Sequence, residues 1–267
     1  MKSVNLPRWA TFAAALVLAL GIFPGLLCAQ KLSIKIPPTK IPLNVKGQAV
    51  TITAFGVVSM VSEDSDRAVF DLELDGDLSD LQQNITALLS EQLDKNERCG
   101  ERLTIQHATL VPMPPASLAT VALHYEGWSC LKVFGKEQAK RLIGGDAVVQ
   151  VKLTPAIDKE NTELRLDPEV GEIQADGALG ELLRSGSLGD MLREKIRDSI
   201  TSAMQKGTNL AAALPPAIQG FATLQDARFR DAGSGRLVVV LGGEVRITKE
   251  QIQDLLQQVK ERTGSDR

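Results

Sequence analysis

The sequence predicts an α+β fold in which antiparallel strands are combined with long amphipathic helices. Three observations support this: alternating apolar and polar residues typical of half-buried strands, helix starts followed by apolar stripes, and the recurrence of both signals along the chain. The order strand, strand, helix, hairpin occurs over 45–130 and again over 147–247. It suggests a pseudo-duplication of a β-β-α-β-β unit, predicted from element order alone because no residue repeat at a fixed offset accompanies it.

Alternation of apolar and polar residues predicts most of the strands. It is clearest over 70–78, where phenylalanine and leucines alternate with aspartate and glutamate, so that one face of the strand must meet water. Over 32–45 the alternation is interrupted by prolines, which cannot donate ladder hydrogen bonds, and edge strands or an extended arm are expected there. Two further runs, 102–111 and 118–128, predict a long hairpin.

Several stretches have the start signals and the apolar spacing of helices. Ser79 and Gln82 form an S-x-x-Q capping box, and Thr248 and Gln251 form a similar box before a terminal helix. Another long helix is predicted to begin at Ser187. The apolar stripes of the two long helices include Leu81, Ile85, Leu88, Leu192, Ile196 and Ile200.

The first 29 residues have the features of a secretory signal peptide. Two basic residues precede an apolar run over 10–27, and cleavage after Ala29 would leave a single mature domain over 30–267. Two alternatives stay open: the run is nearly long enough to be retained as a membrane anchor, and Cys28 lies where bacterial lipoproteins are acylated. Leucines precede Cys28 where lipoproteins have a small residue. The mature chain is therefore predicted to be periplasmic or secreted.

Removal of the signal leaves Cys99 and Cys130 as a pair. Two cysteines in an exported chain favour a disulfide over a metal site. A hairpin register that pairs Leu103 with Gly127 collects the apolar residues on one face and puts the two cysteines almost opposite each other. We therefore expect a disulfide that closes the open end of the hairpin, with two buried free thiols as the alternative.

Composition and charge argue against nucleic acid as a partner. The full chain has a net charge of −3, and removal of the signal, which holds two of the 30 basic residues, makes it −5. Only 4% of the residues are aromatic, too few for a carbohydrate or base-stacking platform. The apolar residues are mostly aliphatic.

The sequence contains no motif for catalysis or for cofactor binding. It lacks a G-x-S-x-G elbow, a phosphate-binding loop and an H-E-x-x-H zinc motif. The predicted register puts His107 and His124 on opposite faces of the hairpin, so neither has partners for a zinc site. The acidic residues of 71–80 lack the spacing of a calcium loop. We expect a protein without enzymatic activity, cofactor or metal, and a hydrolase with an unrecognised site is the least favoured alternative.

The order of elements over 45–247 resembles the TULIP superfamily of lipid-binding domains, which includes the bactericidal/permeability-increasing proteins. The resemblance lies in the segment Val149-Gln150-Val151-Lys152-Leu153, which leads through a long helix to Leu214-Pro215 and a final hairpin. It implies a strongly twisted antiparallel sheet wrapped around long amphipathic helices, with an apolar groove between them. The six stripe residues named above would then include residues that line this groove.

This resemblance implies a cell-envelope protein whose partner is a lipid or another apolar small molecule, in contact with a membrane without spanning it after signal cleavage. The main alternative is an envelope scaffold with a closed core that binds a partner protein through the edge strands of 32–45. A wide cavity with aliphatic walls would favour lipid binding, and a filled core would favour the scaffold.

Signal cleavage gives the first testable prediction. The exported protein should begin at Gln30 and carry no acyl group, because the residues before Ala29 fit a cleavage site better than a lipoprotein site. Intact-mass measurement of the exported product checks this. A diacylated N-terminal cysteine, or a mass that includes residues 1–29, would contradict it.

Overall fold

The protein is mainly β, which corrects the predicted fold class. The computed structural model describes residues 33–45, 48–64, 66–133, 136–158, 163–185, 187–205 and 220–251. About 70% of this part of the chain lies in strands and about 20% in helices, and the strands form two antiparallel five-stranded sheets. The predicted α+β fold, with one sheet wrapped around long amphipathic helices, is wrong because the helices are short. Among the described helices, none combines the length and the apolar character needed to cross a bilayer.

Thirteen elements make up the described part of the chain. In chain order they are β1 (Ser33–Val45), β2 (Gln48–Glu63), β3 (Arg67–Asp77), α1 (Ser79–Leu93), β4 (Lys95–Asn96), β5 (Gly100–Met113), β6 (Ala116–Val133), β7 (Lys136–Asp158), β8 (Glu163–Ala175), α2 (Gly177–Ser185), α3 (Ser187–Gln205), β9 (Ala222–Asp231) and β10 (Leu237–Thr248). Sheet A has the strand order β1-β2-β3-β10-β9, and sheet B has the order β4-β5-β6-β7-β8. The predicted signal peptide, the segment Leu214-Pro215 and most of the terminal helix lie outside the described residues.

The halves 45–130 and 147–247 do not fold as separate β-β-α-β-β units. The hairpins β2–β3 and β9–β10 belong to sheet A, whereas β5–β6 and β7–β8 belong to sheet B. Each half therefore contributes strands to both sheets. The strand content was underestimated because β6 and β7, of 18 and 23 residues, continue through charged residues and glycines that interrupt the alternation. Backbone ladder bonds hold these strands whatever the side-chain pattern.

The inner faces of the two sheets bury one continuous, largely aliphatic core. In sheet A the register aligns Met60, Phe70, Val245 and Ala222 in a row across β2, β3, β10 and β9. Sheet B contributes fully buried residues from its central strands, among them Leu123, Val149 and Val151. Because side chains alternate between the faces of a strand, the opposite faces of both sheets carry the charged residues.

Helix α1 covers the edge of β5 beyond the short strand β4. Thr86 Oγ1 accepts a hydrogen bond from the backbone N–H of Ala108 at 2.9 Å and donates one to the Ala108 carbonyl at 3.1 Å. The Asp94 carboxylate accepts one from the N–H of Ile105 at 2.7 Å. Side chains of the helix therefore satisfy backbone groups that would otherwise form an open sheet edge.

The same helix joins the two sheets through Gln82. Its side-chain amide donates to the carbonyls of Leu110 in β5 and Gly235 before β10, at 2.8 and 2.9 Å. Its side-chain carbonyl accepts a hydrogen bond from the N–H of Leu237 in β10 at 2.8 Å. One side chain thus links a strand of sheet B to a strand and a turn of sheet A.

The capping box predicted at the start of α1 is wrong because Gln82 is used in this link instead. Leu78 occupies the N-cap and makes no side-chain cap bond, while the Ser79 hydroxyl donates to the Asp77 carboxylate at 2.5 Å. Capping depends on what the same side chains can reach elsewhere, and the sequence of the helix alone does not reveal this.

Two other local predictions are confirmed. The proline-containing strand β1 lies at the edge of sheet A and pairs with β2 through a bulge between Ile36 and Thr39. At the end of β10, Gln251 Oε1 accepts a hydrogen bond from the N–H of Thr248 at 2.8 Å, and Thr248 Oγ1 accepts one from the N–H of Gln251 at 3.3 Å. These two bonds form the reciprocal capping box.

The β5–β6 hairpin is formed, but its register differs by two residues from the predicted one. Leu103 pairs with Tyr125 instead of Gly127. Beyond a bulge at Gln106 the pairing shifts by one residue, so that His107 pairs with Ala122. A bulge adds one unpaired residue to a strand, which no uniform pairing rule reproduces.

Cys99 and Cys130 form the predicted disulfide at the open end of this hairpin, with their Cα atoms 5.5 Å apart. The residues are 31 positions apart in the chain, and a loop of this size corresponds to about 3–4 kcal/mol of stabilisation if the disulfide acts on the entropy of the unfolded chain. A disulfide fits a location outside the reducing cytoplasm.

Loss of the disulfide should lower stability without changing the fold. We expect Cys99→Ser to reduce the free energy of unfolding by about 3 kcal/mol, because the unfolded chain regains the entropy of the open loop. Thermal and denaturant unfolding followed by circular dichroism measures this, with Cys99→Ser/Cys130→Ser as the control. Alkylation of both thiols in the unreduced native protein would contradict the pairing.

Substitution of Gln82 tests the link between the sheets, and substitution of its neighbour Gln83 is the matched control. Gln82→Ala should lower the free energy of unfolding by about 1–3 kcal/mol, because it leaves two carbonyls and one N–H without their partner. Gln83→Ala, at an exposed position one residue away, should change it by less than about 0.5 kcal/mol. Equal effects of the two substitutions in urea unfolding would mean that Gln82 does not join the sheets.

Candidate functional site

Four of the predicted lining residues lie together beside the shared core. Leu192 and Ile196 of α3 are buried within it, and Leu81 and Ile85 of α1 are half-buried against it. Helices α1 and α3 also contact each other. The structure therefore brings the apolar stripes of the two helices to one region, although helices make up a smaller share of the fold than predicted.

The other two predicted residues are not part of this group. Leu88 is buried, but it does not belong to the shared core. The side chain of Ile200 lies outside the described residues.

Half-buried aliphatic side chains of α1 and of the first two strands of sheet A pack against the shared core. They keep part of their surface exposed. We call this group the aliphatic border; it consists of Ile34, Ile52, Met60, Leu81, Ile85, Leu89 and Leu93. Apolar walls that are already partly open to solvent are a property of sites for apolar ligands.

Bulky side chains are few in the interior. Among the described residues, the buried aromatic side chains are Phe70, Tyr125 and Phe229. Buried polar or charged residues in the same part of the chain are limited to Asp75 and Ser117. The interior therefore offers aliphatic contact and almost no hydrogen bonding, which suits a hydrocarbon chain better than a polar or planar ligand.

Helix α3 is positioned by a glycine and by an ion pair. Gly189 allows the start of α3 to approach the carbonyl of Leu183 in α2, where a Cβ atom would collide. Further along α3, Lys195 Nζ pairs with the Glu101 carboxylate of β5.

Burial, and to a lesser extent the charge of Glu101, raise the pKa of Tyr125, and its phenol is protonated at neutral pH. This polar group lies next to the apolar interior.

On the outer face of sheet A, the buried Asp75 forms an ion pair with the exposed Arg230 that the sequence did not suggest. Arg230 Nη2 donates to Asp75 Oδ2 at 2.7 Å, while Asp75 Oδ1 has no hydrogen-bond partner among the described residues. Burial raises the pKa of Asp75, and the arginine charge opposes this shift. The pair ties β9 to β3 across β10, and we assign it a structural role.

A second polar cluster lies on the outer face of sheet B around Glu126. Trp128 Nε1 and Arg141 Nη1 each donate to the Glu126 carboxylate at 2.9 Å, and Arg102 stacks 4.1 Å from the centroid of the Trp128 ring. The Trp128 hydrogen bond is the main cause of the lowered pKa of Glu126. This cluster was not predicted from the sequence. Arg102 pairs with Glu126 in the observed register, and the predicted register did not bring these two residues together.

Both histidines are on this outer face, which corrects the prediction that they point to opposite faces. The bulge at Gln106 pairs His107 with Ala122, a residue on the same face as His124. His124 Nδ1 lies 2.6 Å from Asp146 Oδ1, and this hydrogen bond lowers the pKa of Asp146. Over the described ranges, no three His, Cys, Asp or Glu side chains converge as metal ligands.

Comparison with known proteins adds no relative. No family model, no curated protein and no solved structure matches this chain. The function therefore has to be argued from the aliphatic border, the interior behind it and the charged groups outside it.

Proposed function

We propose that this chain binds an elongated apolar ligand, such as the acyl chain of a lipid, in the region where α1 and α3 meet beside the shared core. The aliphatic border carries the proposal. Its half-buried side chains pack against the same core that contains Leu192 and Ile196, so an apolar ligand could extend this core outward without displacing a charge.

The energetics favour a hydrocarbon. Each methylene removed from water contributes about 0.8 kcal/mol, and the partly exposed leucine and isoleucine side chains of the border would gain from the same contact. A polar head group would find almost no partners in the interior and would stay at its boundary, where Lys195 and Glu101 lie. Affinity should therefore depend on chain length more than on head-group chemistry.

The proposal places this activity in the cell envelope. The disulfide supports an extracellular or periplasmic location, and the predicted signal peptide would provide the route. A non-enzymatic role agrees with the sequence, which contains no recognised catalytic motif. Membership of the TULIP superfamily is part of the same proposal and depends on the order of elements alone.

A scaffold function is the second candidate, because β1 is an edge strand. Over the described residues β1 pairs with β2 and with no other strand, so a partner could add a strand to it. Three prolines, Pro37, Pro38 and Pro42, remove donors from β1, which weakens this interpretation. A scaffold would bind no acyl chain.

Substitution by tryptophan separates a ligand site from a closed core. Ile196→Trp should lower the affinity for a fluorescent fatty-acid probe at least tenfold, because the indole would occupy space meant for an acyl chain, and should lower the melting temperature less than Val151→Trp does. Val151→Trp, in the core between the sheets, should instead cost about 1–3 kcal/mol of stability through overpacking. Probe displacement and thermal melts of residues 30–267 measure both effects.

Ile85→Trp, at a half-buried position on α1, provides a second variant if Ile196→Trp does not fold. Either variant should lose probe affinity relative to wild type. If the delipidated wild-type protein binds no probe, the lipid proposal is wrong and the scaffold interpretation is favoured.

A further inference from the structure

The end of the β6–β7 hairpin projects from sheet B as a two-stranded arm. Pairing with β5 ends at Trp128, and pairing with β8 ends at Ala147. Over the described residues beyond these points, β6 and β7 pair only with each other. We call residues 128–133 and 136–143 the arm; β6 continues for five residues past Trp128, which corresponds to about 17 Å at the rise of a strand.

The disulfide holds the base of this arm. Cys130 lies on β6 two residues beyond Trp128, and its bond to Cys99 attaches the arm to the segment before β5. Arg102 over the Trp128 ring, at 4.1 Å, and the contacts of Glu126 with Arg141 support the same base. The arm is therefore fixed in direction although it lacks neighbouring strands.

Two of the most exposed large apolar side chains lie on the arm. Leu131 is 57% exposed and Leu142 is 68% exposed. Leu142 is the extra residue of a bulge between the pairs Gly127–Ile143 and Trp128–Arg141. A bulge redirects a side chain, and here the extra residue is a leucine that lies in solvent.

The arm is basic in an acidic protein. Its sequence holds four basic residues, Lys132, Lys136, Lys140 and Arg141, and one acidic residue, Glu137, whereas the full chain has a net charge of −3. Lys140 is exposed and pairs with Ser129, so it lies on the same face of the arm as Leu131. Two exposed leucines and the exposed Lys140 thus occur together in a segment whose sequence is basic.

We infer that the arm docks on the surface of an anionic lipid bilayer. Leu131 and Leu142 would enter the boundary between head groups and acyl chains, and Lys140 would remain among the anionic head groups. Trp128 at the base has the side chain that membrane interfaces favour. The negative charge of the rest of the chain would be repelled by the same surface, which orients the arm toward the membrane.

Charge complementarity selects this partner over the others. A neutral apolar protein surface would leave the basic residues without a role, and the arm has no aromatic array that could stack nucleic-acid bases. The inference is independent of the proposed ligand site, because it uses none of the aliphatic border residues.

Trp128 makes the test direct, since it is the only tryptophan in residues 30–267. Residues 30–267 are titrated with phosphatidylcholine vesicles containing roughly a third phosphatidylglycerol, and with vesicles of phosphatidylcholine alone. We expect binding to the anionic vesicles only, with a blue shift of Trp128 emission and quenching by brominated phosphatidylglycerol. Binding should weaken as salt is raised from low to about 0.5 M, because screening shortens the range of the attraction.

Variants separate the arm from the general surface. Leu131→Ser/Leu142→Ser should weaken vesicle binding at least tenfold, and Lys140→Gln should weaken it by about fivefold, as expected for one lysine near an anionic surface. Val61→Ser removes an aliphatic side chain that is also 57% exposed but lies on β2, and Lys40→Gln removes an exposed lysine of β1; neither should change binding.

Equal binding to neutral vesicles, no binding to anionic vesicles, or the same loss in the two control variants would overturn the inference. Formation of dimers through the arm, detected by light scattering and abolished by the leucine double variant, would also overturn it and assign the arm to a second copy of the chain. Affinity for the soluble fatty-acid probe should be unchanged in all arm variants, so failure of the ligand site and failure of the arm can be told apart.

Discussion

The fold depends on helix α1 holding the two sheets together at one end. Gln82 bonds to Leu110 of sheet B and to Gly235 and Leu237 beside sheet A. The carbonyl of Pro115 also accepts a hydrogen bond from the N–H of Phe229 at 2.8 Å, which joins the tip of one hairpin to β9. At the opposite end of sheet A, Met60 and Phe221 are half-buried against the shared core.

Charged and apolar side chains lie on opposite faces of each sheet because the two sheets share one core. Inner faces supply leucine, isoleucine and valine, so ion pairs such as Asp75 with Arg230 and the cluster around Glu126 are confined to the outer faces. These pairs orient strands and the base of the arm. Among the described residues, the interior behind the aliphatic border has no comparable polar system, and we therefore connect it with an apolar ligand.

Local sequence signals predicted the elements whose partners are near in the chain. The edge position of β1, the β5–β6 hairpin, the disulfide and the capping box at Thr248 follow from prolines, alternation and spacing. Gln82 was assigned to a cap because its actual partners lie 28 and 155 residues away. The bulge at Gln106 changed the register, the faces of the histidines and the partner of Arg102. Helical periodicity identified Leu192 and Ile196 as inward-facing residues, but only the packing of α1 distinguishes half-buried Ile85 from buried Leu88.

Native mass spectrometry of the protein purified from its natural source tests the central claim, that the aliphatic interior holds an apolar ligand, most directly. The account predicts a series of adducts with the masses of acyl lipids, which disappear after delipidation and return when a fatty acid is added. A single species with the mass of the bare mature chain, unchanged by added fatty acid, would contradict it.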